Sequence, residues 1–285
     1  MEQFVSGWKK SYYGKGDVTV YRLNRDGVTP PGQSPVFGAN VKILIYGDAF
    51  WPTYTTGDNT GLIATDSMKN FIQRETMNFP GTDLEAYCHF LGSRFLDTYP
   101  RAEGAQVSAA EIPYAPIPGQ TAAFQPAGPE RLTVRCEIDR QGIVEMASGI
   151  AGFRMVRLGG SAFFGFVRDQ YTTLPEITNR PLHMWLDLEW LYRSPQPGST
   201  GVSVAAKARE IVHATFGAFE SGSIQQIVYR IGAKMLAELD SISEIHLEAN
   251  NRTWDTVVEQ GDELGVYSDA RPPYGCLGLR LRRQI

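Results

Sequence analysis

The chain predicts an α+β fold of two tandem units, each an antiparallel four-stranded sheet carrying a pair of helices on one face. Three observations lead there. Short runs alternate polar and apolar residues, the mark of half-buried strands. Between them lie segments whose apolar residues recur at helical spacing. The order strand, strand, helix, helix, strand, strand then occurs twice in 285 residues, a repeat of architecture without a repeat of residues. Strands and helices segregated in this way are the α+β pattern. The expected domains are residues 1–141 and 142–285.

Asp17 to Leu23 alternates cleanly and reads as the first strand. Arg25 to Ala39, with Pro30-Pro31 and several glycines, reads as a connection. Val41 to Gly47 is the second strand. A helix is expected to open at Asp66, whose carboxylate suits an N-cap, and to run to about Asn78. Thr82-Asp83-Leu84-Glu85 reads as a capping box before a stripe of Leu84, Tyr87, Cys88, Leu91 and Phe95. Gln106 to Pro113 and Arg131 to Asp139 are strands, separated by a Pro/Gly-rich loop from Pro116 to Gly128. In the second half, Ile143 to Leu158 and Leu182 to Tyr192 are strands, and Ser203 to Phe219 is a helix. Ile224, Ile227, Val228, Ile231 and Met235 form another helical stripe. Ile245 to Glu248 and Cys276 to Leu281 close with strands. Two four-stranded sheets leave open edges with unpaired backbone groups, a reason to expect an oligomer.

Composition narrows the function. Hydrophobic residues make up 42% and charged residues 20%, ordinary for a globular protein. A formal charge of −4 supplies no broad cationic surface and speaks against nucleic acid. No apolar run has the length of a membrane span, and Met1 to Lys10 lacks the apolar centre of a signal peptide. Arg283-Gln284-Ile285 is not a peroxisomal address. Cys88, Cys136 and Cys276 are scattered and odd in number, and the four histidines show no ligand spacing. A reduced, cytoplasmic, metal-free protein is expected.

The stretch with the most chemistry is Asp58-Asn59-Thr60-Gly61-Leu62-Ile63-Ala64-Thr65-Asp66-Ser67-Met68-Lys69-Asn70. Thr65 sits at the mouth of a helix, where free N–H groups and the dipole favour an anion. Other candidates look plain when taken locally. Lys15 in Tyr13-Gly14-Lys15 reads as a solvated charge, Phe163 as a core aromatic, Arg180 as an ion-pair partner and Gln225 as a first-turn polar residue.

Taken together, these blocks resemble the urate oxidase (uricase) family. The Asp58–Asn70 stretch is similar to its "DNS-x-x-x-ATD-x-x-KN" block, and Tyr13-Gly14-Lys15 to its N-terminal "YGK-x-x-V". Phe163 to Leu174 resembles "F-x-GF-x-x-D-x-YTTL" over a dozen positions, and Ser223-Ile224-Gln225 resembles "S-V-Q". The resemblance implies the tunnelling fold and a homotetramer with active sites between subunits. It implies a cofactor-free oxidation of urate by O2 to 5-hydroxyisourate and hydrogen peroxide. By the same resemblance Lys15 pairs with Thr65, Asp66 borders the substrate, Phe163 stacks on the purine, and Arg180 and Gln225 clamp it. Ile224 then offers a backbone contact, and Asn250 holds dioxygen or water above the ring.

One position departs from the family. Arg252 stands where uricases have the histidine of a Lys-Thr-His relay, and Ala249 replaces a proline. Arginine does not give up its proton in proteins. Arg252 therefore either lowers the pKa of Lys15 as a like charge, or clamps a more anionic heterocycle, or points to solvent. The alternatives to a urate oxidase are a relative acting on another purine-like heterocycle and a purine-binding homologue without turnover.

Overall fold

A computed structural model of the chain describes residues 11–25, 34–194, 201–261 and 263–284. Part of the Arg25–Ala39 connection, residues 26–33, lies outside these. The chain divides into two compact units, Met1–Ser148 with Ser194–Val202, and Gly149–Arg193 with Ser203–Ile285.

The first unit carries β1 (Tyr13–Leu23), β2 (Val36–Tyr46), the short helix α1 (Trp51–Thr55), then α2 (Thr65–Asn78) and α3 (Leu84–Thr98). Strand β3 (Gly104–Glu111), the small hairpin β4 (Tyr114–Pro116) with β5 (Phe124–Pro126), and β6 (Arg131–Asp139) follow. β1, β2, β3 and β6 are adjacent in that order, and β1–β2, β2–β3 and β3–β6 are antiparallel. One face is apolar because alternate residues point the same way. Val41, Ile43, Ile45, Val107 and Cys136 are buried on it, together with Met68 and Ile72 of α2 and Leu91 and Phe95 of α3. Tyr87 anchors an aromatic group, with its ring 5.0 Å from Phe37 and 5.2 Å from Phe79. Its hydroxyl shares a 2.6 Å hydrogen bond with Thr76.

The second unit takes up the 22-residue strand β7 (Gly142–Phe163) from Gly149 onward. It continues with β8 (Ile177–Tyr192), α4 (Gly201–Phe216), α5 (Ile224–Glu238) and β9 (Ile242–Asn251). The exposed hairpin β10 (Asp255–Gln260) with β11 (Leu264–Ser268), and β12 (Gly275–Arg282), complete it. β7, β8, β9 and β12 are neighbours in that order, with β8–β9 and β9–β12 antiparallel. Met184, Leu186, Leu188, Ile245, Leu247 and Ala249 form the buried face of its strands. Ile211 and Val212 of α4 and Ile227, Val228, Ile231 and Met235 of α5 are buried with them.

The α+β architecture and the order of its main elements match expectation, and several boundaries differ for physical reasons. α2 begins at Thr65, with Ala64 at the N-cap and no side-chain cap bond. Asp66 therefore lies inside the first turn, and its carboxylate accepts from Lys69 and Asn70. The cap of α3 is Asp83, one residue later than expected, which accepts from the Ala86 amide at 2.7 Å. Glu85 does not reach back; it is buried and accepts from the Ser148 hydroxyl at 2.6 Å. β1 starts four residues before Asp17, so Lys15 lies within a strand. The hairpins β4–β5 and β10–β11 and helix α1 stand in segments with no clear periodicity.

Gly92 sets how closely α3 approaches its sheet. A Cβ there would lie 2.7 Å from Ile138 Cγ2 and 3.6 Å from Val107 Cγ2. Gly92→Leu is expected to lower the chemical-denaturation midpoint, at a cost of about 1–3 kcal/mol for overpacking a tight contact.

Candidate functional site

The sequence candidates fall into one group per unit. In the first unit, Tyr13-Gly14-Lys15 and the start of α2 explain each other. Lys15 pairs across the strands with Ile43, and Tyr13 with Ile45, so both side chains share the face on which α2 lies. Tyr13 Oη accepts from the Ile63 amide at 3.0 Å, tying down the segment just before Thr65. Gly14 has no alternative: a Cβ would stand 1.8 Å from the Ile43 carbonyl oxygen. A bulge follows, where Asp17 adopts φ +57° and accepts from Asn40 at 2.6 Å. The bulge lets Lys15 and Val18, three residues apart, face the same side.

Lys15 is near enough to Asp66 to act on it electrostatically. The Asp66 carboxyl is held below the usual carboxylate range, chiefly by its hydrogen bond and charge pairing with Lys69 and to a lesser degree by Asn70 and Lys15. Thr65 is exposed at the first helical position. The uncapped N-terminus thus offers backbone donors and a hydroxyl beside an ammonium group, a setting suited to an anion.

In the second unit a hydrogen-bonded knot joins three separate elements. Arg157 of β7 donates to the carbonyls of Phe216 at 3.1 Å and Phe219 at 2.8 Å, and to Gly160 O and Ser221 Oγ. Those carbonyls lie at and just beyond the end of α4, which stops at Phe216 rather than at the expected Phe219. Ser161 bridges Ser221 in parallel, with Ala162 N on Ser221 O at 2.8 Å and Ser221 N on Gly160 O at 2.9 Å. The Gly160 amide also donates to Asn179 Oδ1 at 2.7 Å. The end of β7 bearing Phe163, the start of β8 bearing Arg180, and the turn before Ile224 and Gln225 are drawn together by these bonds.

Each side chain in this group has a distinct state. Phe163 is half-buried, with Phe166 stacked on it at 5.0 Å and 16°. Arg180 is half-buried, its Nε is shielded from solvent without a hydrogen-bond partner, and burial lowers the pKa of its guanidinium. A shielded donor without an acceptor is unusual in a native fold and fits a group that meets a ligand. Ser223 caps α5 by accepting from Gln226 N at 3.2 Å, and Gln226 Oε1 accepts from Gly222 N at 2.9 Å. With Gln226 occupied in the turn, Gln225 is the exposed amide at the helix start, and Ile224 is buried beneath it. A cleft of about 630 Å³ takes in Arg180 together with His183, Trp254 and Tyr274. Phe163, Gln225, Asn250 and Arg252 are not among its lining residues.

Asn250 and Arg252 sit at the end of β9. Asn250 pairs with Trp185 of β8 and Cys276 of β12, and the Arg252 amide donates to His183 O at 3.1 Å. Arg252 does not point to solvent, the third of the expectations for it. Its guanidinium carbon lies 4.1 Å from the centre of the Trp185 ring and 3.3 Å from that of Tyr274. Among the described residues no group of three His, Cys, Asp or Glu could hold a metal ion.

The sequence pattern did not single out Arg157, Asn179 or Trp185. Arg157 and Asn179 have no local signature, since an arginine or asparagine in a strand reads as a solvated position.

The family model described as Uricase matches residues 11–137 and 146–277. A uric acid degradation bifunctional protein of Bacillus subtilis is 36% identical over 300 residues, covering 95% of this chain and 61% of the relative. The chain thus spans about three-fifths of that bifunctional protein, and 58% of a second one from Bacillus sp. TB-90. The uricase of Haloferax volcanii is 34% identical over 92% of this chain and 95% of its own length. The crystal structure of a uricase from Bacillus fastidious superposes with a TM-score of 0.85 at 32% identity, covering 97% of this chain and 94% of that one.

Arg157→Met is expected to leave four acceptors short of a donor and to cost at least about 2 kcal/mol. It should also speed proteolysis of the 164–176 loop, measured by limited digestion, more than cleavage elsewhere in the chain.

Proposed function

The chain belongs to the uricase family, and on that premise we propose that it oxidises urate with dioxygen to 5-hydroxyisourate and hydrogen peroxide in purine breakdown. The observation that supports this reading is the knot around Arg157, which ties together the chain segments that carry Phe163, Arg180 and Gln225.

The chemistry requires little beyond the substrate itself. Ground-state dioxygen is a triplet and reacts poorly with closed-shell molecules, and an electron-rich urate anion can reduce it directly. Two electrons leave the ring for dioxygen, which takes up two protons to become hydrogen peroxide. Water adds to the oxidised ring and supplies the hydroxyl of the product. No metal or organic cofactor enters this scheme, and O2 is the co-substrate. The protein contributes orientation, charge and exclusion of water.

The family resemblance supplies the roles. Phe163 offers an aromatic face to the purine. Arg180 brings planar paired donors, including its unpartnered Nε–H, to an anionic edge. Gln225 reads an adjacent N–H and C=O with one amide, while Ile224 contributes its backbone. The backbone N–H of Asp66, rather than its carboxylate, faces the ligand, because that carboxylate is taken up by Lys69 and Asn70. Lys15 and Thr65 manage protons, and Asn250 addresses the oxygen side of the ring.

In this reading residues 1–141 and 142–285 form two tunnelling-fold domains. Homotetramers place Lys15 and Thr65 of one subunit against Phe163, Arg180 and Gln225 of its neighbour. No described helix is long and apolar enough to cross a membrane, and the proposed location is the cytoplasm. A second reading is favoured by the fixed cation at Arg252: a relative acting on a more anionic purine-like heterocycle.

Purified protein in air, given urate and no added metal, is expected to bleach the urate absorbance band and release peroxide in equal amount. Lys15→Met should lower kcat by about 10²-fold, the usual contribution of a positioned acid–base group. Urate that binds without turning over would favour the second reading, and full activity in Lys15→Met would remove Lys15 from the mechanism.

A further inference from the structure

We infer that Arg252 is a positioning residue, which locks the carboxamide of Asn250 so that its NH2 group faces the oxygen being reduced. The inference rests on the assignment of Asn250 to the oxygen side of the proposed site.

The central bond runs from Arg252 Nε to Asn250 Oδ1 at 2.6 Å. Arginine has donors and no acceptor, so this bond fixes which end of the carboxamide faces it. The carbonyl end is engaged, and the NH2 end is turned away. There its hydrogen-bond partner among the described residues is the Cys276 thiol, with Nδ2 to Sγ at 3.5 Å. A thiol sulfur is a weak acceptor, so an oxygen ligand readily replaces it.

Arg252 itself is fixed in place. Its guanidinium rests against the rings of Trp185 and Tyr274, and its backbone amide is bonded to His183. Trp185 carries a second guanidinium, Arg154, at 4.4 Å from the ring centre. Two cations on one indole draw on the negative face of its ring. These contacts hold the guanidinium beside Asn250. A charge-assisted bond at Oδ1 polarises the amide and makes the opposite N–H a stronger donor. Such a donor becomes most useful as dioxygen gains negative charge.

Four proteins test this: Arg252→Lys, Arg252→Met, Asn250→Ala and the Arg252→Met/Asn250→Ala double variant. Each is assayed for urate oxidation across O2 concentration and pH, and for urate affinity under nitrogen, where no turnover occurs. Arg252→Lys keeps the charge and the bulk, and guards against a fold defect in Arg252→Met. The expected result is a fall in kcat/KM for O2 of about tenfold in Arg252→Lys and about 10²-fold in Arg252→Met, on the scale of losing one donor to a developing oxyanion. Urate affinity should stay within about twofold, since Arg252 makes no clamp on the ring. The limbs of the pH profile should not move. The double variant should be no slower than Asn250→Ala alone, because both changes remove one unit.

The inference is overturned if either Arg252 variant matches the parent, or if losses multiply in the double variant. A shifted pH limb would assign Arg252 to proton transfer, and a parallel loss of urate affinity would make it a substrate clamp; either outcome also overturns it. Full activity in Asn250→Ala does the same. Failure of the functional reading is seen separately, as a parent chain that does not oxidise urate, and that result withdraws the inference as well.

Discussion

A single guanidinium organises the second unit. Arg157 serves one carbonyl at the end of α4 and one just past it, one near the end of β7, and the Ser221 hydroxyl before α5. Burial lowers the pKa of this group, but an arginine starts so far above neutrality that it stays charged. Its donors point in fixed directions. It can therefore hold three chain segments at defined angles where water would hold them loosely. Phe163 is six residues beyond Arg157, and Gln225 is four beyond Ser221. The placement of the aromatic face and the amide is inherited from this cation.

Much of this was legible beforehand, and the exceptions have physical causes. The strands and helix pairs were visible because burial on one face imposes a period, as in Val41, Ile43 and Ile45 or in Ile227, Val228 and Ile231. Ser223, singled out by the S-V-Q resemblance, caps α5, and Gln226 engages the Gly222 amide in the same turn. Asp66 misled because aspartate is as common inside a first turn as before it, and an ion pair with Lys69 competes with capping. Glu85 misled because a capping box and a buried acid look alike until Ser148 appears beside it, 63 residues away. Gly14 and Gly16 hid the start of β1, since glycine weakens the strand pattern, although a Cβ at Gly14 could not be accommodated.

The site residues were legible in another sense. No period or spacing marks Phe163, Arg180 or Gln225, and each is unremarkable on local grounds. Their significance came from resemblance alone. The structure ties together the segments that carry them, through bonds from Arg157 and a bond accepted by Asn179, neither of which the resemblance named. The family relation and the hydrogen-bond network are thus independent supports for one grouping.

The electrostatic character of the two groups follows from how their carboxylate is treated. Lys15, Thr65, Arg180, Gln225, Asn250 and Arg252 supply cations and donors. Asp66 supplies the one carboxylate among the candidates, and it is occupied internally, by Lys69 first and then by Asn70 and Lys15. Like any aspartate it is ionised near neutrality, and its lowered pKa extends that range further into acid. Its charge is offset locally and opposes an incoming anion less than a free carboxylate would. The helix start is then left with its backbone donors and dipole facing outward. Under the proposed function, a setting of this kind around a ligand favours the deprotonated form of a weakly acidic ring, the form able to pass electrons to dioxygen. In that reading the pairing of Asp66 with Lys69 bears on reactivity as well as on the stability of α2.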